Sequence, residues 1–268
     1  MPKRLLYSNP AVIQAAIELR VRPPAEANSS EAEKWNACEI PEGYSLRVQE
    51  ESRQIPVVRD GRTSQETQSE SSVREWINQD EGKLIRMSPV LMGLSHYRDR
   101  GEKAWKGWDS LKSDTLAAWE SFREVAPEKT QPLSRIGLKY INRFDLPGEN
   151  LALDRYFRTL PDTSADLPGQ GMSSFMLQLD LPQPDKDANV RLILVRVPPL
   201  SDQENVVSII LDIEAYYKVN SADPLADGFL SDTLATLHRL ENDVFESTIT
   251  KHTRQLMKPK DSSETVTS

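Results

Sequence analysis

The chain alternates between segments with a two-residue hydrophobic period and segments with a helical period. In residues 11–22 apolar side chains occupy every second position, and polar side chains such as Gln14 and Glu18 fill positions between them. Because successive side chains of a strand point to opposite faces, this period predicts a half-buried strand. The Pro23-Pro24 pair that follows ends it, since proline cannot continue a strand ladder.

The next sixty residues are mostly polar. Residues 25–42 predict a loop that carries a short helix around Glu31–Ala37. Residues 44–50 and 54–59 predict the two strands of a hairpin. The stretch Asp60–Ser72 is rich in Ser, Gln, Thr and Glu and has almost no apolar residue, which predicts a mobile loop.

A strand and a helix complete the first half of the chain. Residues 83–97 predict a strand with a bulge or break near Pro89. From Trp105 to Val125, large apolar residues recur at helical spacing, and Pro127 closes the helix that this spacing predicts.

The second half repeats this order of elements. Residues 134–146 predict a strand with alternating faces, and residues 174–181 and 190–197 predict a hairpin. Residues 206–217 are rich in β-branched residues and predict a further strand. Residues 227–257 carry a leucine-rich helical stripe and predict the longest helix.

This order of elements predicts an α+β fold. The expected architecture is a mainly antiparallel sheet system with two long helices packed on one side. The element order further suggests two similar strands-then-helix halves, residues 1–130 and 131–260. A disordered tail is expected at 261–268, where serine and threonine dominate.

Composition narrows the class of protein. The chain has 33 basic and 41 acidic residues, a net charge of −8, so it disfavours contact with nucleic acid and with anionic membrane. Its single cysteine, Cys38, excludes an intramolecular disulfide framework. No stretch approaches the roughly 20 apolar residues of a membrane-spanning helix. These observations together predict a cytoplasmic protein without a membrane partner.

Motifs for known chemistry are missing from the sequence. The histidines and Cys38 have neither Cys-x-x-Cys nor His-Glu-x-x-His spacing, and His238 with Glu241 offers only two ligands of the three or four that a metal needs. The sequence contains no Gly-x-Ser-x-Gly turn and no glycine-rich phosphate loop. We therefore predict no catalytic residue, no metal and no cofactor.

Charged side chains on three predicted strands form the candidate site. Asp212 and Glu214 share one strand face, and Lys139 and Arg143 share the polar face of 134–146. If these strands are neighbours, their polar faces form one mixed-charge surface. The surface is either a solvated ladder of ion pairs or a binding site. The candidate binding residues are Arg20, Lys139, Arg143, Asp212, Glu214 and Tyr216.

Four stretches resemble a sporadically distributed prokaryotic protein family that has no assigned activity. They are NPAVIQAAIELR at 9–20, RIGLKYINRFDLP at 135–147, IILDIEAY at 209–216 and LHRLENDVFESTIT at 237–250. The resemblance implies no catalytic residues, because that family has no known reaction. Its patchy distribution resembles that of mobile defence or accessory genes.

Three functions are consistent with these observations. The first is a non-catalytic interaction or regulatory module, such as an accessory subunit of a prokaryotic defence or stress system whose partner protein is encoded nearby. The second is a small-molecule sensor with an apolar pocket between sheet and helices, for which the aromatic residues Trp105, Trp108, Tyr140 and Tyr216 are the expected lining. The third is an enzyme that uses Asp212, Glu214 and Arg143.

Overall fold

A computed structural model gives the fold of the chain. It describes residues 6–22, 42–59, 62–88, 90–98, 106–125, 133–148, 152–162, 164, 166, 172–199, 205–220 and 228–260. The expected short helix around Glu31–Ala37, the residue Trp105 and the expected tail 261–268 lie outside these residues.

The described strands form one nine-stranded sheet. The strands are β1 (Val12–Val21), β2 (Ser45–Arg59), β3 (Arg62–Asn78), β4 (Lys83–Ser88), β5 (Leu91–Tyr97), β6 (Leu133–Pro147), β7 (Met176–Gln183), β8 (Ala188–Val197) and β9 (Val206–Lys218). Their order in the sheet is β2-β3-β4-β5-β1-β6-β9-β8-β7. The predicted α+β fold with a mainly antiparallel sheet is confirmed.

Three helices accompany the sheet in the described part of the chain. They are α1 (Gly107–Val125), α2 (Phe229–Thr248) and α3 (Lys251–Leu256). The single helix predicted over 227–257 is therefore wrong at residues 249–250, where the chain leaves the helix. Ile249 forms an isolated β-bridge with Phe157, and the Thr250 hydroxyl accepts a hydrogen bond from the Thr253 backbone N–H. Threonine at an N-cap starts a new helix, because its hydroxyl satisfies one of the first N–H groups.

Two sequence predictions in the first half are also wrong. Residues 44–50 and 54–59 do not pair with each other, because both lie in the single long strand β2, which pairs with β3. The expected mobile loop at Asp60–Ser72 is instead mostly strand β3. Backbone hydrogen bonds to β2 hold this polar strand, so it does not need the apolar alternation that marks a buried one. The break expected near Pro89 is confirmed, since β4 and β5 are separate antiparallel strands.

The described chain packs into two compact units, each assembled from separate segments. Unit 1 consists of Met1–Ala15, Gly137–Tyr217 and Asp232–Ser268, and unit 2 consists of Ala16–Ile136 and Lys218–Ser231. The division falls inside β1, β6, β9 and α2. The two similar halves at 1–130 and 131–260 stay a prediction.

In unit 1 one face of the sheet packs against α2. Tyr140 of β6 and His238 of α2 bring their rings to 6.0 Å, and both side chains are buried. His238 thus belongs to the core, and its ring also lies 3.2 Å from the Asn242 side-chain amide one turn further along α2. On β8 and β9 the same face is closed by fully or almost fully buried apolar residues: Val190, Leu192, Leu194, Ile209, Leu211, Ile213 and Ala215.

In unit 2 helix α1 packs against strand β5. Leu111 and Phe122 of α1 are almost completely buried, as are Met92 and Leu94 on alternate positions of β5. His96 continues this β5 face and hydrogen-bonds to Asp114 of α1. The helix predicted from the aromatic spacing is therefore confirmed as a core element of unit 2.

Candidate functional site

The face of the unit 1 sheet opposite α2 carries the predicted charged surface. We call it the open face. Residues that point to it alternate with the buried ones along each strand, and the pairing of β7, β8 and β9 fixes their neighbours. Its members are Lys139 and Ile141 of β6, Met176, Gln178 and Asp180 of β7, Asn189, Arg191, Ile193 and Val195 of β8, and Ile210, Asp212, Glu214 and Tyr216 of β9.

A row of charged side chains crosses the open face. Asp180, Arg191 and Glu214 lie directly opposite one another on adjacent strands. The Arg191 guanidinium donates to the Asp180 carboxylate at 2.8 Å, which lowers the pKa of Asp180 and raises that of Arg191. Both side chains of this ion pair are largely exposed, so it contributes little to folding. A partner can therefore displace the Asp180–Arg191 pair at small cost.

Lys139 and Asp212 form the most buried ion pair of the open face. The Lys139 ammonium lies 2.8 Å from the Asp212 carboxylate, whose side chain is only 15% exposed. Burial raises the pKa of Asp212, and the nearby Lys139 opposes that shift without cancelling it. A carboxylate with a raised pKa is less stable in the folded protein than in the unfolded chain at neutral pH. Burial therefore works against the ionised form of Asp212, and Lys139 compensates for this only in part.

Substitution of Asp212 and substitution of Lys139 should have opposite effects on thermal stability. A carboxyl group whose pKa is higher in the folded protein than in the unfolded chain stabilises the fold only below its unfolded pKa. That stabilisation is lost as the pH rises through the folded pKa. At neutral pH we therefore expect Asp212→Asn to leave Tm unchanged or to raise it. Lys139→Met should destabilise by about 1 kcal/mol, because it leaves Asp212 without its counter-charge. Thermal unfolding at neutral pH checks both, and a large fall in Tm for Asp212→Asn would contradict this account.

Apolar side chains lie beside the charged row. Met176, Val195 and Ile210 are direct neighbours across β7, β8 and β9, and Ile193 lies two residues from Val195. The Met176 side chain is 70% exposed, and the other three are half-buried. A face that combines apolar area with charges is what a protein partner needs, since the first supplies affinity and the second supplies orientation.

The structure separates Arg143 from Asp212 and Glu214. The Arg143 guanidinium is 7% exposed and donates to the Asp145 carboxylate, the Ser208 hydroxyl and the Pro198 carbonyl at 2.9–3.0 Å. Ser208 lies four residues before Asp212 on β9, which is about 13 Å along a strand. Arg143 therefore has a structural role at the end of β9, and the expected cluster of these three residues is not formed.

The remaining predicted residues divide between the two units. Arg20 lies on the part of β1 that belongs to unit 2, where its guanidinium donates to Glu18 at 2.7 Å. Tyr216 is half-buried on the open face. Tyr140 lies on the opposite face of the same sheet, against His238. Tyr140 and Tyr216 therefore do not line one pocket, which corrects the lining expected for a sensor.

A polar cluster in unit 2 was not predicted from the sequence. The Asp114 carboxylate accepts from His96 Nε2 at 2.9 Å and lies 3.0 Å from the Lys83 ammonium, which also contacts Glu81 at 2.6 Å. Burial lowers the pKa of His96, against the effect of Asp114. Only pairing of β4 with β5 and packing of α1 bring these residues together, so their spacing along the chain carries no signal.

The described residues show no grouping of three or more His, Cys, Asp or Glu side chains with the geometry to hold a metal ion. Among the described helices, none has the length and apolar character needed to cross a membrane.

Comparison with known proteins assigns no family. No protein-family model, no curated protein and no solved structure matches the chain significantly.

Proposed function

We propose that this protein is a non-catalytic protein-interaction module, and that the open face of unit 1 is the surface that receives its partner. The observation that carries the proposal is Asp212, a carboxylate that is largely buried within the open face, where burial raises its pKa despite the ion pair with Lys139. Groups that cost stability are concentrated at functional sites, where they are retained for what they bind.

The composition of the open face supports a protein as the occupant. Charges of both signs alternate along the row from Asp180 to Glu214, so the surface attracts neither polyanions nor polycations strongly. Tyr216 and Arg191 are residue types that recur at interface hot spots. The adjoining apolar side chains of Met176, Val195 and Ile210 supply area that a partner would exclude from water.

The geometry weakens the enzyme alternative. Acid–base catalysis needs groups in hydrogen-bond reach of one reacting atom, whereas the Arg143 guanidinium is occupied at the other end of β9. Asp212 is also neutralised by Lys139 in its own sheet. Binding a partner protein on the open face requires neither a nucleophile nor a cleft. The family that the chain resembles has a patchy distribution like that of accessory genes, which favours a partner encoded by a neighbouring gene.

Two substitutions on the open face test the proposal. The products of the adjacent genes are purified, and their binding to the wild-type chain is measured by calorimetry. Glu214→Lys and Tyr216→Ala should each weaken the binding by about tenfold or more, because they remove a charge and an aromatic contact from the face. Neither change removes a fully buried side chain, so thermal unfolding should stay close to wild type.

The matched control is Glu120→Lys, the same charge reversal at an exposed position of α1. It should leave the affinity for the partner unchanged. Equal affinities for the wild type, Glu214→Lys and Tyr216→Ala would overturn the assignment of the open face.

A further inference from the structure

Strand β7 ends the sheet that the described strands form, so one of its edges lacks a neighbouring strand in the order β6-β9-β8-β7. On the other edge, the Arg196 N–H donates to the Phe175 carbonyl across the β7–β8 ladder. In an antiparallel ladder alternate residues face the partner strand. That hydrogen bond therefore directs the backbone N–H and C=O groups of Gln178 and Asp180 away from β8, toward the outer edge.

Among the described residues, the apolar side chains of β7 are less covered than those of β8. Leu177, Leu179 and Leu181 point to the face that α2 covers elsewhere, yet all three are only half-buried. Their direct neighbours on β8, such as Leu192 and Leu194, are almost completely buried. The apolar layer of unit 1 thus extends to β7 at the edge of the sheet, where its leucines are only partly covered.

Natural proteins block such edges with lysine, proline or bulges. Strand β7 has no lysine, and its proline is Pro182, next to the last residue of the strand. Position 182 faces the outer edge by the alternation above, so proline removes one donor at the end of the strand. The central donors on Gln178 and Asp180 remain.

We propose that β7 pairs antiparallel with β7 of a second copy of this chain, with Leu179 opposite Leu179. In this register Gln178 of one copy lies opposite Asp180 of the other, and Leu177 lies opposite Leu181. The outward backbone groups of Gln178 and Asp180 exchange hydrogen bonds, and the leucines occupy the closer, non-hydrogen-bonded positions. Met176 and Pro182 face each other at the ends.

Hydrogen-bond complementarity between Gln178 and Asp180 supports pairing with a second copy in this register. Within one chain the Gln178 amide already donates to the Asp180 carboxylate at 3.3 Å, so the two side chains are suited to pair across strands. A register with Asp180 of one copy opposite Asp180 of the other would place two carboxylates opposite each other, which is destabilising. A register with Gln178 opposite Gln178 would place Met176 opposite Asp180. Of these three registers, the one centred on Leu179 pairs Gln178 with Asp180 and leucine with leucine.

Pairing through β7 is independent of the partner site at Glu214 and Tyr216. Opposite residues of an antiparallel pair point to the same side of the sheet. The open faces of the two copies therefore lie on one side of a continuous sheet, and neither Glu214 nor Tyr216 is needed for the pairing.

Charge changes at Gln178 test the inference through the dimer dissociation constant, measured by sedimentation equilibrium over a range of protein concentrations. For the wild type we expect a dissociation constant in the micromolar range, since one strand pair buries less area than a standard interface. Gln178→Asp places carboxylates opposite each other twice per dimer and should weaken the dimer about tenfold. Gln178→Lys places ammonium groups opposite Asp180 and should tighten it several-fold.

The control makes the same two substitutions at Gln255, an exposed residue of α3, and both should leave the constant unchanged. A wild-type chain that stays monomeric at high micromolar concentration overturns the proposal. So does weakening by both Gln178 variants, which would place Gln178 opposite itself. Glu214→Lys should leave dimerisation intact, so the dimer is tested independently of the partner site.

Discussion

Phe157→Ala should destabilise the protein by about 3–5 kcal/mol, the largest effect that we expect from one substitution. The Phe157 side chain is 1% exposed and packs edge-on against Phe144 at 5.4 Å. Its backbone forms the bridge with Ile249 at the point where α2 ends. Truncation therefore opens a cavity beside the segment that fixes the helix boundary. Urea unfolding followed by far-UV circular dichroism measures the loss.

Two substitutions calibrate this measurement. Phe157→Leu keeps most of the buried volume and should cost about 1–1.5 kcal/mol. Leu256→Ala, at an exposed position of α3, should stay within about 0.5 kcal/mol of wild type. A loss below roughly 1.5 kcal/mol for Phe157→Ala would show that the aromatic contact is not part of the core.

Asp114→Ala should cost about 1–3 kcal/mol at about pH 8, because it leaves the buried Nε2–H group of His96 without its acceptor. Burial lowers the folded pKa of His96 below its ordinary value, so below about pH 6.5 the unfolded chain takes up more protons than the folded protein. The free energy of unfolding therefore decreases as pH falls, because protonation of His96 favours the unfolded chain. Asp114 opposes the lowering, so its removal should deepen that loss.

Urea unfolding at about pH 8 and about pH 5.5 separates the two effects. The deficit of Asp114→Ala relative to wild type should be larger at the lower pH. Glu124→Ala, the same kind of change at an exposed position of α1, should show neither the deficit nor its pH dependence. A deficit that shrinks on acidification would contradict the assigned direction of the His96 shift.

Alternation along a strand was sufficient to predict most of unit 1. Strands β6, β8 and β9 alternate between buried and more exposed residues over most of their length, because one face lies in the core and the other carries Lys139, Arg191 and Asp212. Lys139 and Asp212 were expected on one mixed-charge surface if their strands were neighbours, which β6 and β9 are, but their ion pair was not predicted. Arg143 shares that face too, but its partners depend on the loop carbonyl of Pro198, which no periodicity encodes.

Long-range pairing accounts for what the sequence did not predict. Strand β3 has almost no apolar residue through Ser72, and it pairs with β2 through the backbone. The cluster of His96 and Asp114 is formed by packing of a helix on a strand. The break after α2 did leave a local signal, since Thr250 and Thr253 have the spacing of a helix N-cap.

The first and last described residues of the chain are hydrogen-bonded to each other. The Lys260 N–H donates to the Leu6 carbonyl, and the Ser8 N–H donates to the Lys258 carbonyl. During synthesis on a ribosome the segment at Leu6 leaves the exit tunnel long before Lys258 and Lys260 are joined to the chain. Unit 1 therefore closes only when translation has passed Lys260, and a nascent chain stalled before α2 would expose the apolar face of β8 and β9 to chaperones.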